Sequence, residues 1–239
     1  DSQETTDEEY LQFYKSLSST DKYVAKLHFK VEGSYEFKVL VFVPENAPSY
    51  MFKEKKDDSE VSLYVKRVFI TNKCKDVVPS WLTFLIGVVD SDDLPLNISR
   101  EMLQENNVVK TIQKQIVKKF IDMLQNLMTE QPEVYEKFYK NYSKNLKLGL
   151  HEDNDNKDNL LKLLKFHSSK HQDKPVSLSQ YVSEMSASQK EIYYITGSNL
   201  KELKSSPFLE NLNAKNFDTL LLTDTLDEYV VQHMTKFED

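Results

Sequence analysis

Only two residues of the chain carry a guanidinium group, Arg67 and Arg100, among 31 lysine and arginine positions. Arg100 lies in "DLPLNISREMLQ", residues 93–104. There Ser99 or Asn97 reads as a helix N-cap, and Met102 and Leu103 open an apolar helical pattern. A cation in the first helical turn meets the positive end of the helix dipole and is disfavoured by roughly 0.3–1 kcal/mol. Arginine also keeps its proton, and its planar fork grips phosphate or carboxylate through two parallel bonds. The placement therefore points to an anion outside the segment. An ordinary exposed arginine is the alternative.

Within the chain no loop can cradle a phosphate. Its four glycines, at 33, 87, 149 and 197, are far apart, whereas phosphate loops and dinucleotide fingerprints need them clustered for close backbone approach. A phosphate met by Arg100 would then be held by another domain. His167 and His171 are four apart and could share a helix face, as zinc ligands do, but no third ligand is near. "DNDNKD" at 153–158 resembles the start of a calcium loop. It lacks the required glycine, however, and Leu164 stands where the bidentate glutamate belongs. Cys74 has lysine neighbours that could lower its pKa but no base beside it. Asp90, Asp92 and Asp93 read better as a cap or turn cluster than as a catalytic pair, and no nucleophile elbow is present. The apolar residues Phe69, Trp81, Leu94 and Leu96 remain. Leu94 and Leu96 sit in a loop flanking the arginine, either as a docking surface or tucked under the following helix.

The secondary structure around these groups can be read from periodicity. "EEYLQFYKSL" puts Tyr10, Phe13, Tyr14 and Leu17 on one helical face. "KLHFKVEGSYEFKVLVFVP" alternates around Glu32-Gly33-Ser34 as a hairpin, and "VSLYVKRVFIT" reads as one strand-like run. From 99 to 128, apolar residues at steps of three and four predict a long amphipathic helix. Residues 130–166 read as shorter helices interrupted by Pro132, Gly149 and the run "HEDNDNKDN". Beyond them, "SLSQYVSEM", "SPFLENLNA" and "LDEYVVQHM" read as helices, and "EIYYITG" and "FDTLLLTD" as strands. The pattern predicts an α/β protein: two three-layer α/β/α subdomains joined by a short helical connector. The boundaries are 1–129, 130–166 and 167–239, with the arginine loop in the larger first part.

Composition narrows the function classes. A net charge of -7 argues against a general nucleic-acid binder. No apolar run approaches the length of a membrane span, and "DSQETTDEEY" is the opposite of a signal peptide. One cysteine excludes an internal disulfide. Both ends are abrupt and charged, as in a piece excised from a longer protein.

At "LYVKRVFIT", "GVVDSDDLPLNISREMLQ", "KNLKLGLHED", "IYYITG" and "LTDTLDEYVVQHMTKFE" the chain closely resembles the middle domain of the ninety-kilodalton heat-shock chaperones. The resemblance runs from "EEYLQFYKSL" to the last residues. It implies a segment of a stress-response, ATP-dependent chaperone that binds unfolded client proteins and co-chaperones. The full-length protein would be a homodimer and an ATPase. ATP and its magnesium would be held by an N-terminal domain, and dimerisation supplied by a C-terminal one. This segment alone would be inactive and monomeric, without cofactor, metal, nucleic acid or membrane.

The resemblance also assigns residues. Arg100 matches the arginine that reaches the γ-phosphate of ATP, Gln104 its glutamine partner, and Asn97 the asparagine of the same catalytic loop. Phe69, Leu94 and Leu96 match apolar positions implicated in docking the N-terminal domain. Two departures stand out. "SLSSTDKYVAKLHF" lacks the family's tryptophan, which puts its client or inter-domain contacts in doubt, and Lys66 replaces a frequent second arginine before Arg67. "VEG", "SREMLQ", "LGLHED" and "IYYITG" resemble cytosolic members, while "DSDDLPLN" and "SSPF" resemble the endoplasmic-reticulum branch as well; the cytosol is favoured. The alternative function is a non-catalytic docking module for clients and co-chaperones, with Arg100 merely structural.

Overall fold

The structure, a computed structural model, describes residues 4–47, 59–72, 74, 76–96 and 107–237. It is a mixed α/β fold with two sheets, and it divides into two compact units, Asp1–Tyr142 and Ser143–Asp239.

The first unit begins with α1 (Asp7–Leu17), started by a reciprocal cap. The Thr6 hydroxyl accepts the Glu9 amide, and the Glu9 carboxylate accepts the Thr6 amide, so two donors that the helix itself cannot satisfy are paired. Tyr10 and Tyr14 on the inner face pack against Phe42 and Ile86. Five strands come next: β1 (Tyr23–Val31), β2 (Phe37–Pro44), β3 (Glu60–Val65), β4 (Val68–Thr71) and β5 (Ile86–Ser91). Their order is β1-β2-β5-β3-β4, with β3 and β5 parallel and the other pairs antiparallel.

β5 is thus paired on both sides. A Cβ at Gly87, in its second position, would lie 2.2 Å from the carbonyl oxygen of Leu40 on β2. Only glycine allows that approach. The helix α2 (Asn107–Glu130) buries Val109, Ile112, Ile116, Phe120 and Leu124 at steps of three and four, the spacing that places residues on one face. Phe84 joins Phe120, Phe138 and Tyr142 in one aromatic cluster, and the Tyr142 hydroxyl donates to the carbonyl of Pro44 at 2.8 Å.

Three local expectations are corrected here. "VSLYVKRVFIT" is two strands, not one, because Lys66 and Arg67 turn the chain. Pro132 opens α3 (Pro132–Glu152), where its missing N–H costs nothing, and Gly149 lies within that helix instead of interrupting it. Residues 165 and 166, expected in the helical connector, instead open a strand that runs to Ser168.

The second unit contains α4 (Lys157–Leu163), β6 (Lys165–Ser168), β7 (Val176–Ser177), α5 (Leu178–Ser183), β8 (Tyr193–Thr196), α6 (Leu200–Lys204), α7 (Glu210–Ala214), β9 (Thr219–Leu222) and α8 (Asp227–His233). Its sheet has the order β7-β6-β9-β8, with β8 and β9 parallel. Two buried ionisable groups are satisfied inside it. The Asp218 carboxylate accepts the Ser168 and Ser169 hydroxyls and the amides of Lys170 and Thr219. Lys147 lies 2.6 Å from Asp227 and 3.3 Å from Asp224. Among the described residues no helix is long and apolar enough to cross a membrane.

The close approach at Gly87 makes a prediction. Gly87→Ala should lower the stability of the chain by about 1–3 kcal/mol, the range for forcing an extra methyl into packed structure. Urea unfolding of both proteins, with no change in the slope of the transition, measures it.

Candidate functional site

The loop that leads to Arg100 leaves the sheet at the C-terminal end of β5, and that end is bonded to two neighbouring turns. Before β2, the Glu36 carbonyl accepts the Asp92 amide at 3.0 Å, and the Glu36 amide donates to the Asp93 carboxylate at 2.6 Å. The Asp93 amide in turn donates to the buried Ser91 hydroxyl at 3.3 Å. Between β3 and β4, the Lys66 amide donates to the Ser91 carbonyl and the Arg67 amide to the Asp90 carboxylate, both at 3.1 Å. Three aspartates that could have suggested acid–base chemistry therefore sit around a junction of turns. Asp90 and Asp93 accept backbone amides there, which is the cap or turn reading.

The β3–β4 turn was missed by sequence reasoning. Val65 pairs with Val68, leaving a two-residue loop, and both loop residues have positive φ, 50° at Lys66 and 64° at Arg67. That is the pattern of a type I′ hairpin, which normally demands Asn-Gly or a similar pair. Each non-glycine residue in this region is disfavoured by roughly 1–2 kcal/mol, so composition gives no signal of the turn. Directly after it, Val68 and Phe69 are about half exposed, and the Phe69 ring packs edge-on against Tyr64 at 5.6 Å.

The residues selected from sequence are dispersed. Phe69 is on the edge strand β4 at 52% exposure, whereas Leu94 is buried at 4% and Leu96 is partly buried. Trp81 is in the core, edge-on to Phe120. Asn97, Arg100 and Gln104 lie outside the described residues, between Leu96 and the start of α2 at Asn107. The structure thus brings Phe69 and Leu94 to turns bonded at the end of β5.

The competing sites dissolve. His167 lies in β6 and His171 in the turn after it, so they share no helix face, and His171 Nε2 lies 2.6 Å from Glu184. Asp153 accepts the amide of Asn156 at 3.2 Å, a local cap. Among the described residues no group of three or more His, Cys, Asp or Glu could hold a metal ion. The Cys74 thiol is buried, and that burial pushes its pKa up to about 11; it is neutral at physiological pH and a poor nucleophile.

The different burial of the two apolar residues is measurable. Leu94→Ala should cost about 2–5 kcal/mol, as for a core leucine. Phe69→Ala should cost less than about 1 kcal/mol, because about half of the ring stays in water after folding. Denaturant unfolding of the two variants, each against the parent chain, tests this.

The Hsp90 protein family matches residues 1–239, the whole chain. Heat shock protein 83 of Leishmania donovani is 46% identical over all of the chain and 53% of its own length. An endoplasmin homolog of Hordeum vulgare is 42% identical over 99% of the chain and 32% of its own length. The chain therefore spans about half, or less, of the length of these relatives. The middle domain of a heat shock protein from Plasmodium falciparum superposes with a TM-score of 0.86 and 35% identity, covering 99% of this chain and 93% of that one. The chain belongs to the Hsp90 family, and its fold is that of the family's middle domain.

Proposed function

We propose that this chain is the middle segment of an ATP-driven chaperone. In this reading Arg100 reaches the γ-phosphate of ATP bound, with magnesium, by an N-terminal domain of the same protein. The observation that carries the reading is the rooted end of β5. The ten residues 97–106, Arg100 among them, follow Leu96, three residues after a junction of five hydrogen bonds, and precede α2, a long helix with one buried face. A guanidinium delivered from fixed roots can meet an anion on another domain with little ordering left to do. Its part in the chemistry is to neutralise charge developing on the transferred phosphoryl group, as arginine fingers do. Gln104, four residues on, and Asn97, three before, orient the guanidinium and the loop.

Phe69 and the partly buried Leu96 supply apolar contacts to the docked N-terminal domain, while Leu94 is buried. Client proteins and co-chaperones bind other surfaces of the same segment. A C-terminal domain makes the full protein a homodimer. The relatives include both a heat shock protein 83 and endoplasmin homologs; of the two branches we place this protein in the cytosol.

The test mixes the chain with its own N-terminal domain and follows ATP turnover. High concentrations are needed, because the linkage that raises effective concentration in the whole protein is missing. The parent chain should stimulate turnover. Arg100→Ala should reduce that stimulation by about 10²-fold or more, the usual loss on removing a preorganised charge stabiliser, with nucleotide affinity little changed. Equal stimulation by both would leave the second reading, a docking module that works through Phe69, with Arg100 structural.

A further inference from the structure

Taking the docking role of Phe69 from the function just proposed, we propose that Asp90 is a positioning residue for it: its carboxylate holds the strained Lys66-Arg67 turn and so fixes Val68 and Phe69 in their exposed setting. The turn needs a holder. Two consecutive residues other than glycine have positive φ, a conformation that persists only where the surroundings over-determine it. Neither side chain is buried to supply that restraint, since Lys66 and Arg67 are both exposed. What does restrain the turn is backbone bonding to β5. The Lys66 amide has a carbonyl acceptor at Ser91, and the Arg67 amide has a charged one at Asp90 Oδ1, 3.1 Å away.

Of the two bonds, the second is set by a side chain, and it falls on the residue immediately before Val68. A bond to a charged acceptor is stronger than a neutral one and is directional. Asp90 itself cannot wander. It is in register with Lys38 of β2 and Tyr64 of β3, paired strands on both sides. It thus transmits the rigidity of the central strand to the tip of an edge hairpin. Without it, Arg67 can relax to negative φ, and the half-exposed Val68 and Phe69 lose their fixed direction.

Two readouts test this. In the chain alone, amide hydrogen exchange at Arg67 should accelerate at least about fivefold in Asp90→Ala, as expected on losing a hydrogen bond to a charged group. Asp90→Asn keeps an acceptor oxygen and should stay within about twofold of the parent. Exchange in α2 serves as the control for global unfolding. Should Asp90→Ala lower protection there too, the test passes to a chain carrying Lys66→Asn and Arg67→Gly, the pair a type I′ turn prefers. In that background, adding Asp90→Ala should leave the Val68 amide, which pairs with Val65 and not with Asp90, as protected as before. Unchanged Arg67 exchange in Asp90→Ala, or a turn that still needs Asp90 in the relaxed background, would overturn the proposal.

In the full-length protein, ATP turnover should fall about fivefold or more in Asp90→Ala and stay within about twofold in Asp90→Asn, with Arg100→Ala measured beside them. A loss confined to Arg100→Ala would overturn the positioning role and leave the arginine reading standing. A loss in neither variant would overturn both.

Discussion

β5 lies between β2 and β3, and the glycine in its second position lets β2 approach to a distance that a methyl group would forbid. Its backbone groups are therefore committed on both flanks. The strand has no freedom to slide, because a shift of one residue would turn every inward side chain outward. That constraint acts locally. The last two residues of β5 and the two after it become fixed points to which the turns at Glu36 and at Lys66-Arg67 are bonded. Functional loops work best when they hang from a rigid frame. Here one strand provides the frame for both the edge hairpin and the turn at Glu36.

Much of this was legible beforehand, and the reason is periodicity. The alternation on either side of Glu32-Gly33-Ser34, the helical face of Tyr10 and Tyr14 and the three-and-four spacing from Val109 to Leu124 all match the structure. These are cases where local pattern and global packing agree. Failures occurred where tertiary contacts overrode local preference. Lys66 and Arg67 are poor residues for their turn, and acceptors on β5, distant in sequence, stabilise it. Gly149 reads as a breaker, yet it lies in α3 between Leu148 and the fully buried Leu150. His167 and His171 have helical spacing, but the short strand β6 was hidden behind the leucine-rich helix before it. For the candidate site, spacing singled out Arg100 and the loop leucines. It could not tell that Leu94 is buried while Phe69 is half exposed.

The second unit solves a different problem with buried polar groups. A carboxylate at 1% exposure would be costly in an apolar interior, yet Asp218 accepts four hydrogen bonds from β6, from the turn after it and from its own neighbour. With that many donors the ionised form is satisfied, and the group becomes a directional staple across β6 and β9. Lys147 does the same from a helix, reaching two carboxylates at the start of α8. Removing one partner of such a set leaves an uncompensated charge behind. The unit is therefore specified by geometry as well as by burial, which suits a segment whose short helices of five to seven residues contribute little stability by themselves.

The arginine reading gains physical sense from what the chain does not contain. Four dispersed glycines cannot build a phosphate loop, so a nucleotide-directed arginine here acts on a ligand held elsewhere. Separating binding from charge neutralisation has a consequence for rate. A guanidinium that contacts the phosphate only after two domains dock contributes little to ground-state affinity. Its interaction energy is then concentrated in the docked, reacting state, which is where it can accelerate the reaction. Under the proposed function, hydrolysis would be conditional on domain arrangement, and anything that biases docking would also bias turnover. On that proposal, Phe69 and Arg100 would be two halves of one condition. The turn before Phe69 is bonded to the end of β5, the strand whose register the rest of the first unit holds in place.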